Sequence, residues 1–245
     1  VPEETTDEIA VLTEPLSCAL HAVIRADVAE RATVLVLGCG SMGLLTIVAL
    51  RHLRPNCKIV AVAKYPHQRE WARFLGSDFV VQPGIKGYGD LTELFGAKVK
   101  QLDWQKPAVI GGADTAFDCV GSARSLEDVI RWTRSGGTVV MVGMPGVSKI
   151  DLAPMWYQEL RILGSYTYGL ENVNDRLART FDLSLELLAD TFWERKFRKF
   201  VTHKFPLHRY KQAIATAMKT GKTESVKVVF EMNDSRKHAS VDSST

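Results

Sequence analysis

The chain has 245 residues, of which 46% are hydrophobic and 24% charged, and its formal net charge is +3 at pH 7. This composition is ordinary for a globular protein, and the length permits one large domain or one domain with a smaller lobe. Because the net charge is small and the two signs are interspersed, we exclude a protein that binds nucleic acid through bulk charge.

The cysteines indicate the compartment in which the protein works. No two of them form a C-x-x-C pair, so no structural zinc knuckle is predicted, and scattered thiols favour a reducing compartment; they are Cys18, Cys39, Cys57 and Cys119. No stretch reaches the ~18 apolar residues of a membrane helix, and the acidic start shows no signal peptide. We therefore expect a cytoplasmic protein with no membrane partner, and a start at Val1 without Met indicates a fragment.

Apolar strands and amphipathic helices alternate through the first two thirds of the chain. Strands are predicted at Thr33–Leu37, Lys58–Ala63, Asp78–Val81, Asp114–Cys119, Thr138–Val142 and Arg161–Tyr166. Helices are predicted at 13–25, Leu44–Leu53, Pro66–Leu75 and Ser122–Thr133, the last stopped by Gly136-Gly137. This rhythm predicts an α/β fold with a doubly wound parallel Rossmann sheet and helices on both of its faces.

Two regions are less regular. Residues 83–107 contain a possible helix at Leu91–Leu102, which glycines flank. After Tyr168 the pattern predicts a long helix at Asn172–Ala189, a strand at Val201–Lys204, a helix at Pro206–Lys219 and a strand at Val226–Phe230. The polar residues Asn233–Thr245 lack apolar periodicity and are predicted to be a disordered tail.

A glycine-rich turn, GCGSMG at 38–43, joins the first strand to the next helix. In this context G-x-G-x-x-G is a dinucleotide fingerprint. Gly38 would permit the tight turn, Gly40 the approach of a pyrophosphate and Gly43 the close packing of helix and sheet. The free backbone N–H groups of Ser41, Met42 and Gly43 would then face the phosphates.

Other enzymes also use such a turn. A methyltransferase is the nearest competitor, because it binds an adenosine ligand beside a similar loop. A short-chain dehydrogenase is disfavoured, because it needs a Tyr-x-x-x-Lys pair and this sequence has none.

The end of the second strand bears on the choice between NAD and NADP. NAD enzymes usually place an acidic residue there to bind the ribose hydroxyls. Here the strand ends in Ala63 and Lys64, with Arg69 one turn into the following helix. Because these cations could pair with a 2′-phosphate, we predict NADP as the cofactor, with NAD as the alternative.

Six segments together resemble the medium-chain, zinc-dependent alcohol dehydrogenase superfamily, and in particular its sorbitol, threonine and inosamine dehydrogenase branch. They are EPLSCALHAV (14–23), VLGCGSMG (36–43), GGADTAFDCVGS (111–122), SGGTVVMVGMP (135–145), ELRILGSYTYG (159–169) and GKTESVKVVF (221–230). The resemblance implies a connecting segment at 1–25, a dinucleotide-binding domain at 26–168, a return at 169–230 to an incomplete GroES-like catalytic domain, and a tail at 231–245.

The resemblance also implies roles for particular residues. Val120-Gly121 would line the nicotinamide ribose, Val142-Gly143-Met144 would meet the nicotinamide amide, and Lys227 would reach the pyrophosphate. Ser165-Tyr166 would contact the cofactor and take part in pairing subunits, so a homo-oligomer formed through the sheet edge is expected. Val120 and Val142 could instead be core residues, and Lys227 could be a surface charge on an edge strand.

Glu14 is the one residue in the chain for which the resemblance implies a role beside zinc. Glu14, Cys18 and His21 recur on one helical face, although three zinc ligands from one helix would be unusual. The family's other zinc ligands lie in an N-terminal domain that this sequence lacks.

The resemblance implies part of an oxidoreductase that transfers hydride between a secondary alcohol or polyol and a nicotinamide cofactor, with zinc in the intact enzyme. A zinc-free reductase of the quinone type is disfavoured by Glu14. A non-catalytic module that binds NADP(H) or dimerises is the other alternative. Residues 170–230 are expected to be poorly covered without their partner domain.

Overall fold

A computed structural model describes residues 5–102, 105–173 and 175–232. The strands are β1 Thr33–Leu37, β2 Lys58–Val62, β3 Phe79–Val81, β4 Lys98–Leu102, β5 Gln105–Ile110, β6 Ala113–Asp118, β7 Thr133–Met141, β8 Arg161–Gly164, β9 Leu170–Val173, β10 Arg176–Arg179, β11 Val201–Pro206 and β12 Lys227–Glu231. The helices are α1 Asp7–Ala10, α2 Thr13–Ala26, α3 Ser41–Leu53, α4 Pro66–Leu75, α5 Ile85–Leu94, α6 Ala123–Trp132, α7 Ala153–Tyr157, α8 Thr180–Ala189, α9 Thr191–Phe197, α10 Tyr210–Met218 and α11 Thr220–Thr223.

The central feature is a six-stranded sheet in the order β3-β2-β1-β6-β7-β8, in which every pair is parallel. The chain winds outward from β1 to β3 and then returns to the other side of β1 with β6. The strand order therefore reverses between β1 and β6, and ligands of doubly wound sheets bind in the crevice at such a point. The predicted fold class is confirmed.

Both faces of the sheet are covered, which explains why its strands are continuously apolar. In β1, Val34 and Val36 join a core with residues of α2, α3 and α4. Leu35, which points to the opposite face, joins a second core with residues of α5 and α6. Alternate residues of one strand thus supply two separate cores, and helices lie on both faces as predicted.

The prediction of a helix at Leu91–Leu102 is wrong. The helix ends at Leu94, and Gly96, whose φ is +57°, turns the chain away from it. Lys98–Leu102 then forms β4, which pairs antiparallel with β5. A glycine in the left-handed region is a common end of a helix, and the new strand finds its partner within the same loop.

The glycines at 136–137 do not stop α6, which ends at Trp132. They lie inside β7, where Gly136 has a φ of +70° and the pairing with β6 shifts register. A glycine at an irregular position of a strand is typical of a bulge. The stop prediction is therefore wrong.

The long helix predicted at Asn172–Ala189 is shorter than expected. Its first part is an antiparallel hairpin of β9 and β10, and Asp175, in the turn, has a φ of +62°. The helix begins only at Thr180. Asn and Asp tolerate the left-handed region better than other side chains, so the sequence around 172–175 favours a turn.

The expectation that 170–230 are poorly covered is right for one half and wrong for the other. Leu187, Trp193, Phe197 and Phe200 are buried in the same core as α2 and α3. Beyond them, β11 and β12 pair parallel around α10, and this unit exposes large apolar side chains: Leu207, Tyr210, Ile214, Met218 and Phe230. The predicted tail at Asn233–Thr245 lies outside the described residues.

The helical stretch Asp7–Ala26 is 20 residues long and apolar enough to cross a membrane by length and composition. The expectation that no stretch reaches this length is therefore wrong. In the structure, 61% of this apolar window is buried, and α2 packs on α3 and α8 as a core helix does. The absence of a membrane partner stays a prediction.

Candidate dinucleotide-binding site

The glycine-rich turn lies at the carboxyl end of β1, beside the reversal of strand order. Gly38 has a φ of +95°, which favours glycine, and its N–H donates to the Val62 carbonyl at 3.0 Å. A Cβ on Gly43 would stand 1.7 Å from the Gly38 carbonyl oxygen. Gly38 and Gly43 are therefore required by the turn and by the packing of α3 on it.

Gly40 differs from these two glycines. It is the N-cap of α3, its φ is −75°, and a Cβ built on it would meet no atom within 4 Å. Neither backbone strain nor packing against the protein explains a glycine here. The turn leaves open space at the N-terminus of a 13-residue helix, where Ser41, Met42 and Gly43 carry N–H groups that a helix leaves without an intrahelical acceptor.

A cleft of about 620 Å³ opens beside the turn. Four predicted residues line it, Gly38, Gly40, Lys64 and Val120. A cleft of this volume falls in the range of small-molecule and cofactor sites. Its wall runs from the turn to the end of β2 and to the start of α6.

The loops after β6 and β7 touch each other at the same edge of the sheet. A Cβ on Gly143 would lie 2.5 Å from the Gly121 nitrogen, and a Cβ on Gly121 would lie 2.5 Å from the Met144 carbonyl oxygen. Only glycines permit this contact between two backbones. The tertiary structure thus brings together Val120-Gly121 and Val142-Gly143-Met144, which are 20 residues apart in the sequence.

Asp118, at the end of β6, holds both loops. Its carboxylate accepts hydrogen bonds from the Val120 nitrogen at 2.9 Å, the Gly121 nitrogen at 3.1 Å and the Ser125 hydroxyl at 3.1 Å. Its carbonyl oxygen accepts from the nitrogens of Val142 and Gly143. Burial raises the pKa of the Asp118 carboxyl, and the three hydrogen bonds to the carboxylate oppose that rise.

The end of β2 carries the predicted cations. Ala63 is buried, and its nitrogen donates to the Val81 carbonyl. Lys64 is exposed on the cleft, its ammonium lies 5.3 Å from the centre of the Tyr65 ring, and Arg69 donates to the Lys64 carbonyl at 3.2 Å. Lys64 therefore lines the cleft at the end of β2, and the Arg69 guanidinium lies beside its backbone.

The remaining predicted contacts lie around this edge and do not line the cleft. The Ser165 nitrogen donates to the Met141 carbonyl, which places the end of β8 beside that of β7, and Tyr166 is exposed. Lys227 follows Val226, whose carbonyl accepts a hydrogen bond from the Ser41 hydroxyl. The first residue of β12 is thus close in the chain to a direct contact with the glycine-rich turn.

Glu14 lies apart from this set, in the first turn of α2. Its carboxylate accepts a hydrogen bond from the Cys18 thiol at 3.3 Å, and the His21 ring contacts Glu171 of β9 at 2.5 Å. Within residues 5–102, 105–173 and 175–232, no group of three or more His, Cys, Asp or Glu could hold a metal ion. The role of Glu14 beside zinc therefore stays a prediction.

The sequence analysis missed the residues that form the rest of the cleft. The Tyr88 hydroxyl donates to the Asp128 carboxylate, and the Tyr88 ring stacks on Trp132 with ring centres 5.3 Å apart. Burial and the neighbouring carboxylate raise the pKa of Tyr88. Tyr88 lies in the irregular region 83–107, where no sequence pattern marks it as a site residue. Ser122 and Ser125, which cap α6, could have been found, because they have the spacing of a capping box.

A parallel sheet whose strand order reverses beside a strand, glycine-rich turn and helix defines a Rossmann dinucleotide-binding fold. A family model described as zinc-binding dehydrogenase matches residues 41–186. The chain belongs to the zinc-binding dehydrogenase family, and the predicted resemblance is confirmed.

Curated relatives and solved structures agree with this assignment. The chain is 29% identical over 233 residues to a sorbitol dehydrogenase of Arabidopsis thaliana and 28% identical over 235 residues to an L-idonate 5-dehydrogenase of Vitis vinifera. The alignments cover 95% of this chain and 58% of each relative, so the chain spans little more than half of their length.

Among solved structures, 2R,3R-butanediol dehydrogenase from Bacillus subtilis matches with a TM-score of 0.72 at 24% identity, covering 95% of this chain and 60% of that one. A zinc-binding dehydrogenase from Sinorhizobium meliloti 1021, bound to NADP, matches with a TM-score of 0.69 at 25% identity, covering 94% and 61%. The fold of the described residues is that of these medium-chain dehydrogenases.

Replacing Asp118 by Ala and by Asn should distinguish the contribution of its Oδ1, which accepts from two backbone N–H groups, from that of its Oδ2, which accepts from Ser125. Asp118→Ala leaves the N–H groups of Val120 and Gly121 without their side-chain acceptor and removes one of the two acceptors of the Ser125 hydroxyl, and we expect a loss of about 2 kcal/mol in the free energy of unfolding. Asp118→Asn keeps one oxygen for the two backbone donors and should lose about 1 kcal/mol or less. Urea unfolding followed by circular dichroism measures both, and equal losses would contradict this account of the loop.

Proposed function

We propose that this chain is the NADP-binding part of a zinc-dependent oxidoreductase that transfers hydride between a secondary alcohol or polyol and the nicotinamide. The observation that carries the proposal is the open Gly40 at the N-terminus of α3, beside a cleft at the reversal of strand order. Family membership and the curated polyol dehydrogenase relatives support the substrate class.

In this proposal the protein's task is to fix the cofactor. The N–H groups at the start of α3 bind the pyrophosphate, because they present uncompensated donors and the positive end of the helix dipole. The loops held by Asp118 then support the nicotinamide end. Lys227 follows Val226, whose carbonyl contacts Ser41 of the glycine-rich turn, and in this proposal it adds a positive charge at the pyrophosphate. A nicotinamide held at this end would supply the acceptor for the hydride of an alcohol carbon.

The zinc site would be shared with residues outside this sequence. Zinc, when bound, would supply a positive charge that lowers the pKa of an alcohol hydroxyl. We propose Glu14 as a zinc ligand, or as a group that hydrogen-bonds to one, because its exposed carboxylate contacts only Cys18 among its described partners. A Glu14→Gln variant of the complete enzyme with unchanged zinc content and unchanged turnover would contradict this role.

The purified chain should bind NADPH and should not oxidise alcohols. The described residues offer no group of three metal ligands, and we expect the chain alone to hold no catalytic zinc. A titration followed by NADPH fluorescence measures binding, and absorbance at the reduced-nicotinamide band, with sorbitol and zinc present, measures turnover. Gly40→Ala should leave the fold intact, because the added methyl group would contact no protein atom within 4 Å. It should abolish NADPH binding, because the methyl group would occupy the space in which we propose that the pyrophosphate lies.

A matched control is Gly146→Ala, another glycine whose Cβ would meet no atom within 4 Å. It should bind NADPH as the unchanged chain does. Zinc-dependent turnover by the chain alone would contradict the division of the enzyme proposed here. Binding that survives in Gly40→Ala would contradict the pyrophosphate site.

The preference for NADP over NAD rests on charge at the end of β2. A carboxylate at this position would bind the ribose hydroxyls and repel a 2′-phosphate. Here the position carries the exposed Lys64, and the Arg69 guanidinium contacts the Lys64 backbone, so two cations stand together. One structural neighbour contains NADP and another contains NADH, so the proposed preference rests on these two cations.

Removing Lys64 should weaken NADPH binding selectively. We expect Lys64→Ala to raise the Kd for NADPH about tenfold and to change that for NADH little, because only NADPH carries the phosphate that the ammonium pairs with. Isothermal titration with both cofactors measures the ratio. Lys211→Ala, which removes an exposed lysine of α10, is the control, and tighter binding of NADH than of NADPH by the unchanged chain would overturn the preference.

The edge of the sheet supports a homo-oligomer. β8 is one of the two edge strands of the sheet, and three large apolar side chains in the segments before and after it in the chain are strongly exposed: Met144 at 91%, Trp156 at 82% and Tyr166 at 86%. Exposed apolar residues grouped at an unpaired strand are typical of an interface. We propose that two copies associate through this edge.

Light scattering should give about twice the 27.2 kDa mass of one chain. The double variant Trp156→Glu, Tyr166→Glu should be monomeric, because it places charges at the interface. Met218→Glu, which alters an exposed methionine on α10, should remain dimeric. A monomer at every concentration of the unchanged chain would refute the interface.

A further inference from the structure

The turn between α10 and β12 rests directly on the loop between β2 and α4. This segment, residues 219–226, contains the single-turn helix α11 and is called the C-terminal turn below. It makes three contacts, with α4, with the loop before α4 and with the glycine-rich turn. Thr220 Oγ1 lies 3.3 Å from the His67 ring Nε2, Gly221 packs on the Tyr65 ring, and the Val226 carbonyl accepts from the Ser41 hydroxyl. A segment more than 150 residues distant in sequence thus contacts both the glycine-rich turn and the residues that follow Lys64.

The contact of Gly221 with Tyr65 depends on the missing side chain. A Cβ on Gly221 would lie 2.4 Å from Tyr65 Cε1 and 2.7 Å from Cζ, closer than any real contact. The φ of Gly221 is not positive, so glycine is needed here for space and not for backbone conformation. Any side chain at 221 must push the aromatic ring aside.

The Tyr65 ring in turn bears on Lys64. The Lys64 ammonium lies 5.3 Å from the centre of that ring, within the range of a cation–π contact. The ring also stacks on His67, with centres 5.9 Å apart and planes 9° apart. His67 is buried and contacts Thr220, so the ring is held between the C-terminal turn and α4.

From these contacts we infer that Gly221 and Tyr65 are positioning residues for Lys64, and that the C-terminal turn sets the enzyme's selectivity for the 2′-phosphate of the cofactor. The inference rests on the proposed function, because it assumes that Lys64 pairs with that phosphate. It adds that the selectivity is determined partly outside the dinucleotide-binding domain. Without the ring, the flexible lysine samples many positions and loses more freedom when it binds phosphate.

The test uses two probes that differ only in the 2′-phosphate, 2′,5′-ADP and 5′-AMP, titrated calorimetrically into the whole chain. The unchanged chain should bind 2′,5′-ADP more tightly. In Gly221→Ala and in Tyr65→Ala this ratio of affinities should fall about two- to fivefold, the size of an exposed cation–π contact, while the Kd for 5′-AMP stays within about twofold. Tyr65→Phe keeps the ring and should keep the ratio.

Gly89→Ala is the matched control, because Gly89 also lies in a helix and its Cβ would meet no atom within 4 Å. It should leave both affinities unchanged. An unchanged ratio in Gly221→Ala and Tyr65→Ala overturns the inference while leaving the role of Lys64 intact, and so does an equal loss for both probes, which would mark a merely structural effect. Equal binding of the two probes by the unchanged chain overturns the proposed cofactor preference and this inference with it.

Discussion

The structure depends on one close approach, that of α3 to the turn that precedes it. Gly43 lies so near the Gly38 carbonyl that a single carbon atom would not fit, and Gly38 can make the turn because its φ is positive. This approach brings the N-terminus of α3 to the carboxyl end of β1, where β1 and β6 separate. The open space at Gly40 and the cleft beside it both follow from that placement.

A second constraint organises the edge around the turn. Asp118 is buried, and its carboxylate and carbonyl together accept from four backbone nitrogens in two loops and from one hydroxyl. A buried carboxylate is costly unless its hydrogen bonds are made, so the loops and the acid stabilise each other. The Gly121 and Gly143 backbones can then touch, which gives the edge a fixed shape where the nicotinamide end is proposed to lie.

The C-terminal part of the chain is not a separate addition to this domain. α8 and α9 bury their apolar faces in the core that also contains α2 and α3, and the C-terminal turn reaches Ser41, Tyr65 and His67. The β11–α10–β12 unit, by contrast, exposes its apolar residues, as expected of a surface that a larger protein covers. The chain spans 58% of the length of its curated sorbitol dehydrogenase relative.

The sequence by itself determined the sheet and the turn. A continuous apolar run rich in β-branched residues, such as Thr33–Leu37, is typical of a strand covered on both faces, and G-x-G-x-x-G between a strand and a helix is typical of a tight phosphate-binding turn. It did not determine the hairpins at 98–110 and 170–179, because local propensity cannot tell a short strand from a helix when the partner strand lies in the same loop. Only the tertiary structure decided the contacts of Asp118 with two loops, of Tyr88 with Trp132 and of Gly221 with Tyr65. The two loops, the two rings and the glycine with its ring come from separate parts of the chain, and no hydrophobic periodicity in the sequence indicates that they meet.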